Sequence, residues 1–419
     1  MASQSTTSTD GPLTLHFHDM TRVAGEMIQG SVELNLISAQ EDNLDRLRIK
    51  FRGTIHSKIT TTGYRNVDHY QFVTLFHEDL VLWARESASL DSDHHTLTLP
   101  FEFKLPENLP SSFHCWWIYR HATIGYSLEV VGERAGFHRW NRRIRRLISV
   151  VPGASEKQLL AKESLRQGWN GPWQDFANEE KLRQGLWGHY SHARVRLTIP
   201  NMSSYPIATP IPFRFHVETD TKPMRISDAP VDKHGKQLFP ALPALASDMK
   251  LILHRRALIR VHVGAKLLTE DVEDIFPLEG SLGDATRVAA IDHVIEEPQW
   301  ILAPGSKDEK DLGIWRRAAH FESAVAIPYA PTCSTEILDW EYHLRFVVPF
   351  PGLGNNLELE VPIHLDPGSA CPPPPIGTAG ASNLTYADIL PAGPPPPMAD
   401  LPPAYWAGTH HAWDVDVKS

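Results

Sequence analysis

The sequence predicts an all-β chain that contains two antiparallel β-sandwich domains. Apolar and polar residues alternate along much of its length, which is the pattern of strands with one buried face. Proline and glycine repeatedly interrupt these short strands, as in antiparallel sandwiches rather than in parallel sheets with alternating helices. The strands fall into two blocks, separated by a segment with a different pattern. With 419 residues, the chain is long enough for two domains that each have a core.

The residues expected to face the two cores recur at every second position. In the first block they are Leu13, Leu15 and Phe17; Val32, Leu34 and Leu36; Leu47, Ile49 and Phe51; Leu97, Leu99, Phe101, Phe103 and Leu105; and Ile124, Tyr126, Leu128 and Val130. In the second block they are Ala193, Val195, Leu197 and Ile199; Ile211, Phe213, Phe215 and Val217; Leu251 and Leu253; Ile259, Val261 and Val263; Leu344 to Val348; and Leu357, Leu359, Val361 and Ile363. A period of two predicts strands throughout.

Residues 153–191 lie between the two blocks and are predicted to form a helical insert rich in tryptophan. Ser155 is a suitable N-cap for a helix that ends near Gln167, and Gly168 would stop it. A group of large aromatic side chains is expected to pack this insert onto a sandwich: Trp169, Trp173, Phe176 and Trp187.

The composition changes again at Asp366, where a proline-rich tail begins. Runs of four prolines occur at 372–375 and at 394–397, and such a segment cannot bury enough apolar area to order itself. We therefore expect an extended, accessible tail. The predicted organisation is a disordered N-terminus (1–11), a first sandwich (12–152), the helical insert (153–191), a second sandwich (192–365) and a disordered tail (366–419).

The overall composition excludes several classes of protein. The hydrophobic share is 42% and the charged share 21%, as in a globular protein, and no apolar run approaches the roughly 20 residues of a membrane span. The first residues lack a secretory signal pattern, and Cys115, Cys333 and Cys371 are too scattered for a disulfide framework or a zinc knuckle. We expect reduced cysteines and a cytoplasmic protein. A net charge of −10 argues against nucleic-acid binding.

The tail contains the sequence Leu401-Pro-Pro-Ala-Tyr-Trp406, which is a Pro-Pro-x-Tyr motif. Two prolines fix φ near −65° and preform a polyproline II turn, so little entropy is lost when they enter an aromatic groove. Tyr405 adds one large anchoring ring. Pro402, Pro403, Ala404 and Tyr405 are therefore predicted to be a ligand for WW domains.

A second candidate site is the densest positive cluster of the chain, which comprises Arg139, Arg142, Arg143, Arg145 and Arg146. Guanidinium groups bind phosphate and carboxylate through paired hydrogen bonds. The cluster is thus a candidate contact for anionic lipid headgroups at a membrane surface, for a phosphorylated segment or for an acidic sorting motif. The alternative is a solvated strand face whose arginines form ion pairs with neighbouring strands, and the sequence does not decide between the two.

No catalytic residue, cofactor or metal site is predicted. The histidine pairs His16 and His18, His94 and His95, and His410 and His411 lack further ligands at a spacing typical of metal sites. Gly-x-Ser-x-Gly elbows, phosphate-binding glycine loops and His-Glu-x-x-His motifs are absent from the sequence. The acidic run of Glu270, Asp271, Glu273 and Asp274 is expected to be a loop between strands. We therefore expect a protein that is not an enzyme.

The first block resembles the amino-terminal domain of arrestin-like proteins. The resemblance rests on Phe101-Glu-Phe-Lys-Leu-Pro-Glu-Asn-Leu-Pro-Ser-Ser-Phe113, on Ile124-Gly-Tyr-Ser-Leu-Glu-Val130, and on the opening Gly25-Glu26 to Gly30-Ser-Val-Glu-Leu34. With the second block and the tail motif, the chain resembles an α-arrestin of the fungal arrestin-related type over about residues 12–405.

This resemblance implies two arrestin-like, immunoglobulin-like β-sandwiches side by side in the cytosol, and a role as adaptor. In the family, Pro-Pro-x-Tyr motifs are taken to recruit WW domains of HECT-type ubiquitin ligases to membrane transporters or receptors, which are then ubiquitinated and internalised. Only Pro402, Pro403, Ala404 and Tyr405 match that motif here. Many such adaptors carry several tail motifs and this chain carries one, so avidity from paired motifs is not available.

The expected function is that of a cytoplasmic adaptor, recruited peripherally to the plasma membrane or endosomes. Its body would recognise the cytosolic segment of a transporter or receptor, and its tail would bring the ligase. The alternative is an arrestin-fold signalling or trafficking scaffold that binds cargo or coat proteins without a ligase. A third interpretation, a secreted carbohydrate-binding or hydrolytic sandwich, conflicts with the missing signal and disulfides. Lys157, Lys162 and Lys181 are candidate ubiquitin acceptors, as is any exposed lysine.

Overall fold

The computed structural model describes residues 4–87, 95–136, 140–183, 190–228, 239–243, 245, 248–264, 266–277, 292–302, 312–351, 354–369 and 371. The strands of the first domain are β1 (Gln4–Asp10), β2 (Leu13–Asp19), β3 (Arg22–Val23), β4 (Met27–Asn35), β5 (Leu44–Thr61), β6 (Val67–Ala84), β7 (Thr96–Lys104), β8 (Phe113–Trp117), β9 (Arg120–Arg134), β10 (Arg142–Ile148) and β11 (Val150–Val151). Helix α1 (Leu36–Glu41) follows β4, and helix α2 (Glu156–Arg166) follows β11.

The strands of the second domain are β12 (Trp173–Arg183), β13 (Tyr190–Pro200), β14 (Tyr205–Pro206), β15 (Ile211–Asp220), β16 (Met224–Arg225), β17 (Lys250–Val263), β18 (Lys266–Pro277), β19 (Asp292–Ile295), β20 (Gln299–Leu302), β21 (Leu312–Val325), β22 (Cys333–Ser334), β23 (Leu338–Pro349), β24 (Asn356–Ile363) and β25 (Leu365–Asp366). The prediction of an all-β chain with two sandwiches and a short helical insert is confirmed.

Each domain has two large antiparallel sheets with a shared apolar interior and one short parallel pair, β3-β11 in the first domain and β14-β25 in the second. In the first domain the sheets have the orders β1-β2-β4-β7 and β10-β9-β5-β6, with β8 beside β9. In the second domain they have the orders β12-β13-β15-β21-β16, with β19 and β20 beside β21, and β18-β17-β23-β22, with β24 beside β23. The alternating residues of the sequence fill these interiors; Leu34, Phe51 and Leu128, for example, are all fully buried.

Strand β5 connects the first sandwich to the second domain. It is 18 residues long, and Gly53 lies at one of the two register shifts in its pairing with β6. A Cβ at Gly53 would lie 2.6 Å from the ring of Phe76 and 2.8 Å from that of Tyr126, so only glycine fits this crowded position. Beyond it, the Ser57 hydroxyl donates to the carbonyl of Arg260 on β17, at 2.7 Å. The long strand thus reaches across the domain boundary.

Helix α2 has the ends that the sequence predicts. The Ser155 hydroxyl accepts from the Gln158 N–H, and the Gln158 side chain accepts from the Ser155 N–H at 2.8 Å, which together form a capping box. Gly168 follows the helix with φ +95°, the left-handed region that glycine favours. The helical part of the insert therefore ends where Gly168 was expected to stop it.

Other segments of the chain differ from the sequence-based expectations. Trp173–Arg183, in the second half of the predicted helical insert, form strand β12. From Phe176 to Leu182, every second residue is less exposed than its neighbours, but two of these residues, Asn178 and Glu180, are polar. The alternation of apolar and polar residues that marks a strand is therefore weak in this segment of the sequence. Trp187 lies outside the described residues.

The predicted disorder over residues 1–11 is also corrected. Gln4–Asp10 form β1, which pairs with β2 along its whole length from Gln4 and Asp19 to Asp10 and Leu13. Three threonines favour an extended conformation there, and the neighbouring strand supplies the backbone hydrogen bonds. Leu36 starts helix α1 rather than ending a strand, because the Asn35 side chain accepts from the Ser38 N–H and caps the helix.

The acidic run from Glu270 to Asp274 is part of a strand and not a loop. It lies on β18, which pairs with the basic strand β17 so that Glu273 is opposite Arg256. The Glu273 carboxylate accepts from the imidazole of His254 at 2.7 Å. A basic partner strand therefore allows acidic residues such as Glu273 to form part of a strand.

Candidate functional site

The proline-rich tail begins at a point where the chain is bonded to the first domain and the insert. After β25, the carbonyl of Gly368 accepts from the Lys162 ammonium at 2.8 Å, and the carbonyl of Ser369 accepts from the Ala154 N–H at 2.7 Å. Lys162 is only 6% exposed, which makes it a poor ubiquitin acceptor, contrary to our expectation. The four motif residues, Pro402 to Tyr405, lie outside the described residues.

Cys371 marks the end of the described chain and lies against Gly25 and Gly153. Burial raises the pKa of its thiol, and the carboxylates of Glu26 and Glu107 raise that pKa further. The thiol is therefore protonated at neutral pH. This environment is the opposite of that of a reactive cysteine, whose pKa is lowered by nearby positive charge.

A groove of about 470 Å³ lies between the domains, next to the start of the tail. The first domain contributes Glu107 to Pro110, Pro152 and Gly153, among others, and the second contributes Thr332 to Glu336. Burial raises the pKa of the Cys333 thiol in this groove to about 12, and Asp339 adds to the effect. The Cys333 thiol is therefore not an activated nucleophile.

The arginines of β10 are partly engaged in ion pairs within the first domain. The Arg142 guanidinium contacts Asp42 at 2.8 Å and Asp10 at 3.2 Å, and Arg134 bonds the other oxygen of Asp42. These contacts lower the pKa of Asp42, with the hydrogen bond from Arg142 as the largest cause. Arg142 therefore fits the ion-pair alternative.

The other arginines of the cluster differ from Arg142 in exposure. Arg143 lies 3.4 Å from Glu129, but 63% of its side chain is exposed. Arg145 is exposed and Arg146 is half-buried, whereas Arg139 lies outside the described residues. The cluster therefore combines one structural arginine with guanidinium groups that solvent can reach.

An exposed aromatic surface near the domain junction escaped the sequence analysis. Strand β8 and the turn that follows it present Trp116, Ile118 and Tyr119, which are 68%, 74% and 47% exposed. Tyr119 has φ +72°, and its carbonyl accepts from the Thr60 N–H at 2.7 Å. The signal in the sequence was the unusual run of four large residues from Trp116 to Tyr119.

This surface continues across the outer face of the sheet. In register across β8, β9, β5 and β6 lie Trp116, His121, Lys58 and Tyr70, and the next row is His114, Thr123, His56 and Phe72. The Phe72 ring stacks on that of His56, with centroids 4.4 Å apart. We call Trp116, His121, His56, Tyr70 and Phe72 the aromatic-histidine face.

The three histidines in these rows are held in the neutral form. The Thr123 hydroxyl lies 3.0 Å from a ring nitrogen of His114 and 3.0 Å from one of His121. Burial lowers the pKa of His56 and of His121 to about 4. At neutral pH the face therefore combines uncharged imidazoles with exposed aromatic rings, a composition typical of protein interaction surfaces.

In the ranges that the structure describes, neither a cluster of metal-ligating side chains nor a helix that could span a membrane is found. Among those residues, no group of three or more His, Cys, Asp or Glu side chains could hold a metal ion. The helices of the described chain are all too short or too polar to cross a membrane.

Comparison with known proteins identifies the first domain. Residues 14–155 match the family model of the arrestin (or S-antigen) N-terminal domain. This range begins in β2 and ends at the cap of α2, so it covers most of the first sandwich. No curated protein matches the chain. Arrestin domains support a role as trafficking adaptor or scaffold in general, and proteins of the family are generally not enzymes. Residues 14–155 therefore form a domain of the arrestin N-terminal type.

Proposed function

We propose that this protein is an adaptor that recruits a HECT-type ubiquitin ligase to membrane transporters or receptors and so promotes their ubiquitination and endocytosis. The observation that carries the proposal is the Pro-Pro-x-Tyr motif, Pro402 to Tyr405, on a tail that follows an arrestin domain. The motif has the polyproline and aromatic elements that WW domains bind. The ligase supplies all the chemistry, and the adaptor contributes none of the reacting groups.

The tail acts as a tether of limited length. Roughly 30 residues separate Cys371, the last residue that the structure describes, from Pro402. At about 3.3 to 3.6 Å per residue, the motif can lie no farther than about 110 Å from Cys371. A ligase bound there is confined to the neighbourhood of the cargo, which raises its effective concentration at the cargo's lysines.

The body supplies the surface for cargo. The aromatic-histidine face and the adjoining turn with Ile118 and Tyr119 are large, partly apolar and solvent-accessible. Aromatic side chains contribute much contact area for little loss of conformational entropy, so they are frequent at the centre of protein interfaces. We assign the cytosolic segment of the cargo to this surface.

We place the adaptor in the cytoplasm, recruited peripherally to the plasma membrane or endosomes, because the ligase and the cargo segments meet there. The exposed guanidinium of Arg143 is suited to a weak contact with anionic lipid headgroups. Such a contact orients the body and does not anchor it, since one or two arginines contribute only about 1 kcal/mol each.

The test measures binding of the full-length protein to the WW domains of HECT-type ligases by titration with a fluorescent WW domain. We expect saturable binding that Tyr405→Ala abolishes. Tyr386→Ala is the matched control, because Tyr386 lies in the same tail but follows no proline pair. Undiminished binding by the Tyr405→Ala variant would contradict the proposal.

The scaffold alternative is tested in cells that express the same two variants. If the protein is a ligase adaptor, Tyr405→Ala slows ubiquitination and internalisation of its cargo, and Tyr386→Ala does not. A scaffold without a ligase would leave cargo turnover the same in both variants.

A further inference from the structure

Two histidines face each other on the outer surface of the second domain. His216 on β15 lies directly opposite His320 on β21. Their Nδ1 atoms are 3.1 Å apart, and the ring centroids are 4.4 Å apart with 43° between the ring planes. The two nitrogens are therefore close enough to share one ligand, although 104 residues separate them in sequence.

A carboxylate fixes the proton on one of the two rings. Oε1 of Glu296 lies 2.6 Å from Nε2 of His320. An ionised carboxylate only accepts hydrogen bonds, so Nε2 of His320 carries a proton. In the neutral imidazole, Nδ1 of His320 then carries the electron pair and accepts the hydrogen bond from Nδ1 of His216.

Glu296 is itself held in position. It directly follows β19, and its N–H donates to the carbonyl of Ala318 on β21 at 2.9 Å. A carboxylate that orients the second nitrogen of a histidine is the arrangement found behind metal-bound imidazoles in proteins. The two imidazoles of His216 and His320 are thus suited to bind a Lewis acid, which accepts electron pairs.

We propose that His216 and His320 bind a divalent transition-metal cation of the Zn²⁺ or Cu²⁺ class through their two Nδ1 atoms, with Glu296 as the orienting carboxylate. Imidazole nitrogen suits Zn²⁺, Cu²⁺ and Ni²⁺, whereas Mg²⁺ and Ca²⁺ prefer oxygen ligands. On binding, His216 carries its proton on Nε2, and the cation occupies the position between the two Nδ1 atoms.

The distance between the nitrogens fits two metal–nitrogen bonds. With bonds of about 2.0 to 2.1 Å, a separation of 3.1 Å corresponds to an angle of about 98° at the metal. This value lies between the square-planar and tetrahedral angles. Because 44% of the His320 side chain is exposed, water has access to complete the coordination.

The surrounding charges are mixed. Glu296 and Glu218 both favour a cation near the rings, and Arg196, opposite His216 on β13, opposes it. With two protein ligands, the site is expected to be exchangeable rather than a structural metal centre.

The proposed metal would join three strands. β19 pairs with β21 at its edge of the sheet, and Glu296 at the end of β19 orients a ligand that β21 provides. His216 comes from β15. A bound cation would therefore hold this part of the second domain more firmly, and metal would protect it against unfolding by mass action.

The experiment titrates the full-length protein with Zn²⁺, and separately with Cu²⁺, by isothermal calorimetry at pH 7.5. Wild type is compared with His216→Gln and His320→Gln. We expect each variant to bind one equivalent of metal fewer than the wild type does. Glu296→Gln should keep that equivalent but bind it about 10- to 100-fold more weakly. Thermal unfolding without metal verifies that each variant is folded.

His192→Gln is the matched control. His192 is also half-exposed, lies on the same sheet and contacts a carboxylate, Glu179, at 3.1 Å, but Asp220 and not a histidine is opposite it on β15. His192→Gln should bind as many equivalents of metal as the wild type. An unchanged number of equivalents in His216→Gln would overturn the proposal, as would absence of binding to wild type; the two imidazoles would then only share a hydrogen bond.

Discussion

The indole ring of Trp340 stacks on the phenyl ring of Phe113, with ring centroids 4.0 Å apart and ring planes within 10° of parallel. Phe113 belongs to the first domain and Trp340 to the second, and both are 1% exposed. The Arg255 guanidinium lies 4.8 Å from the centre of the Phe113 ring. The two sandwiches therefore share a buried aromatic contact and not merely a linker.

Replacing Phe113 by Ala should destabilise the folded protein by about 3 to 5 kcal/mol, because it removes a buried ring and leaves a cavity beneath Trp340. Thermal or urea unfolding measures the change. Trp116→Ala, a change of an exposed ring only three residues away, is the control and should cost less than about 0.5 kcal/mol. Equal losses in the two variants would show that the stacked pair does not join the domains.

An ion pair at the same junction should contribute little. Arg120 bonds the Glu270 carboxylate at 2.6 and 2.9 Å, but both side chains are 36% exposed. A double-mutant cycle with Arg120→Ala and Glu270→Ala should give a coupling energy of about 0.2 to 1 kcal/mol, reduced at 1 M salt by screening. A coupling above about 2 kcal/mol that salt does not change would refute this expectation.

Acid should destabilise the first domain between about pH 6.5 and pH 4. Burial, together with Lys58, lowers the folded-state pKa of His56 and His121 to about 4, below the value near 6.5 in an unfolded chain. Burial and Arg255 also lower the pKa of the neighbouring His114. In that pH window the unfolded chain binds more protons, so the free energy of unfolding falls as pH drops, by about 2 to 3 kcal/mol per histidine.

The measurement is the free energy of unfolding from urea titrations at several pH values. His121→Gln should flatten the curve in this window, and the exposed His262→Gln should not. Asp68, which contacts Lys58, has its pKa lowered to about 2 by hydrogen bonds from Lys58 and Thr60. Its contribution is lost only below about pH 4, so it does not obscure the histidine effect. A curve for His121→Gln parallel to that of wild type would disprove the assignment.

The cap of helix α2 should affect the start of the tail. Ser155→Ala removes the acceptor for the Gln158 N–H and should cost about 0.5 to 2 kcal/mol. Because Lys162 on this helix bonds the Gly368 carbonyl, hydrogen exchange at residues 368 and 369 should rise in the variant. Ser164→Ala on the exposed side of the helix is the control. Unaltered exchange in Ser155→Ala would mean that the helix does not hold the tail.

Arg142 should matter for stability. Arg142→Ala leaves Asp10 and Asp42 without one of their cationic partners, and a loss of about 1 to 2 kcal/mol is expected after allowance for solvent exposure. The exposed Arg65 in the turn between β5 and β6 provides a control, with an expected change within about 0.5 kcal/mol. Sedimentation of the Arg142→Ala variant with vesicles that contain anionic lipid then measures lipid binding separately from the change in stability. A folded and fully stable Arg142→Ala variant would argue against the structural role.

The sequence by itself determined many of the core strands, the two sandwiches and helix α2 with both its ends. These features depend on local rules, since a period of two marks a strand with one buried face and a serine cap or a glycine stop acts within one helical turn. It failed at β1, β12 and β18, where polar or charged residues form strands because a neighbouring strand supplies hydrogen bonds and opposite charges. The tail motif, too, was readable from sequence alone, because a short peptide ligand carries its whole recognition pattern in consecutive residues.

Only the tertiary structure decided which distant side chains meet. It placed Phe113 on Trp340, engaged Arg142 with two aspartates, assembled the aromatic-histidine face from four strands and brought His216 within 3.1 Å of His320. The sequence analysis considered histidines only where they were neighbours in the chain and so predicted no metal site. Strand register sets such contacts, and register depends on the pairing of segments about 100 residues apart, which no local pattern encodes.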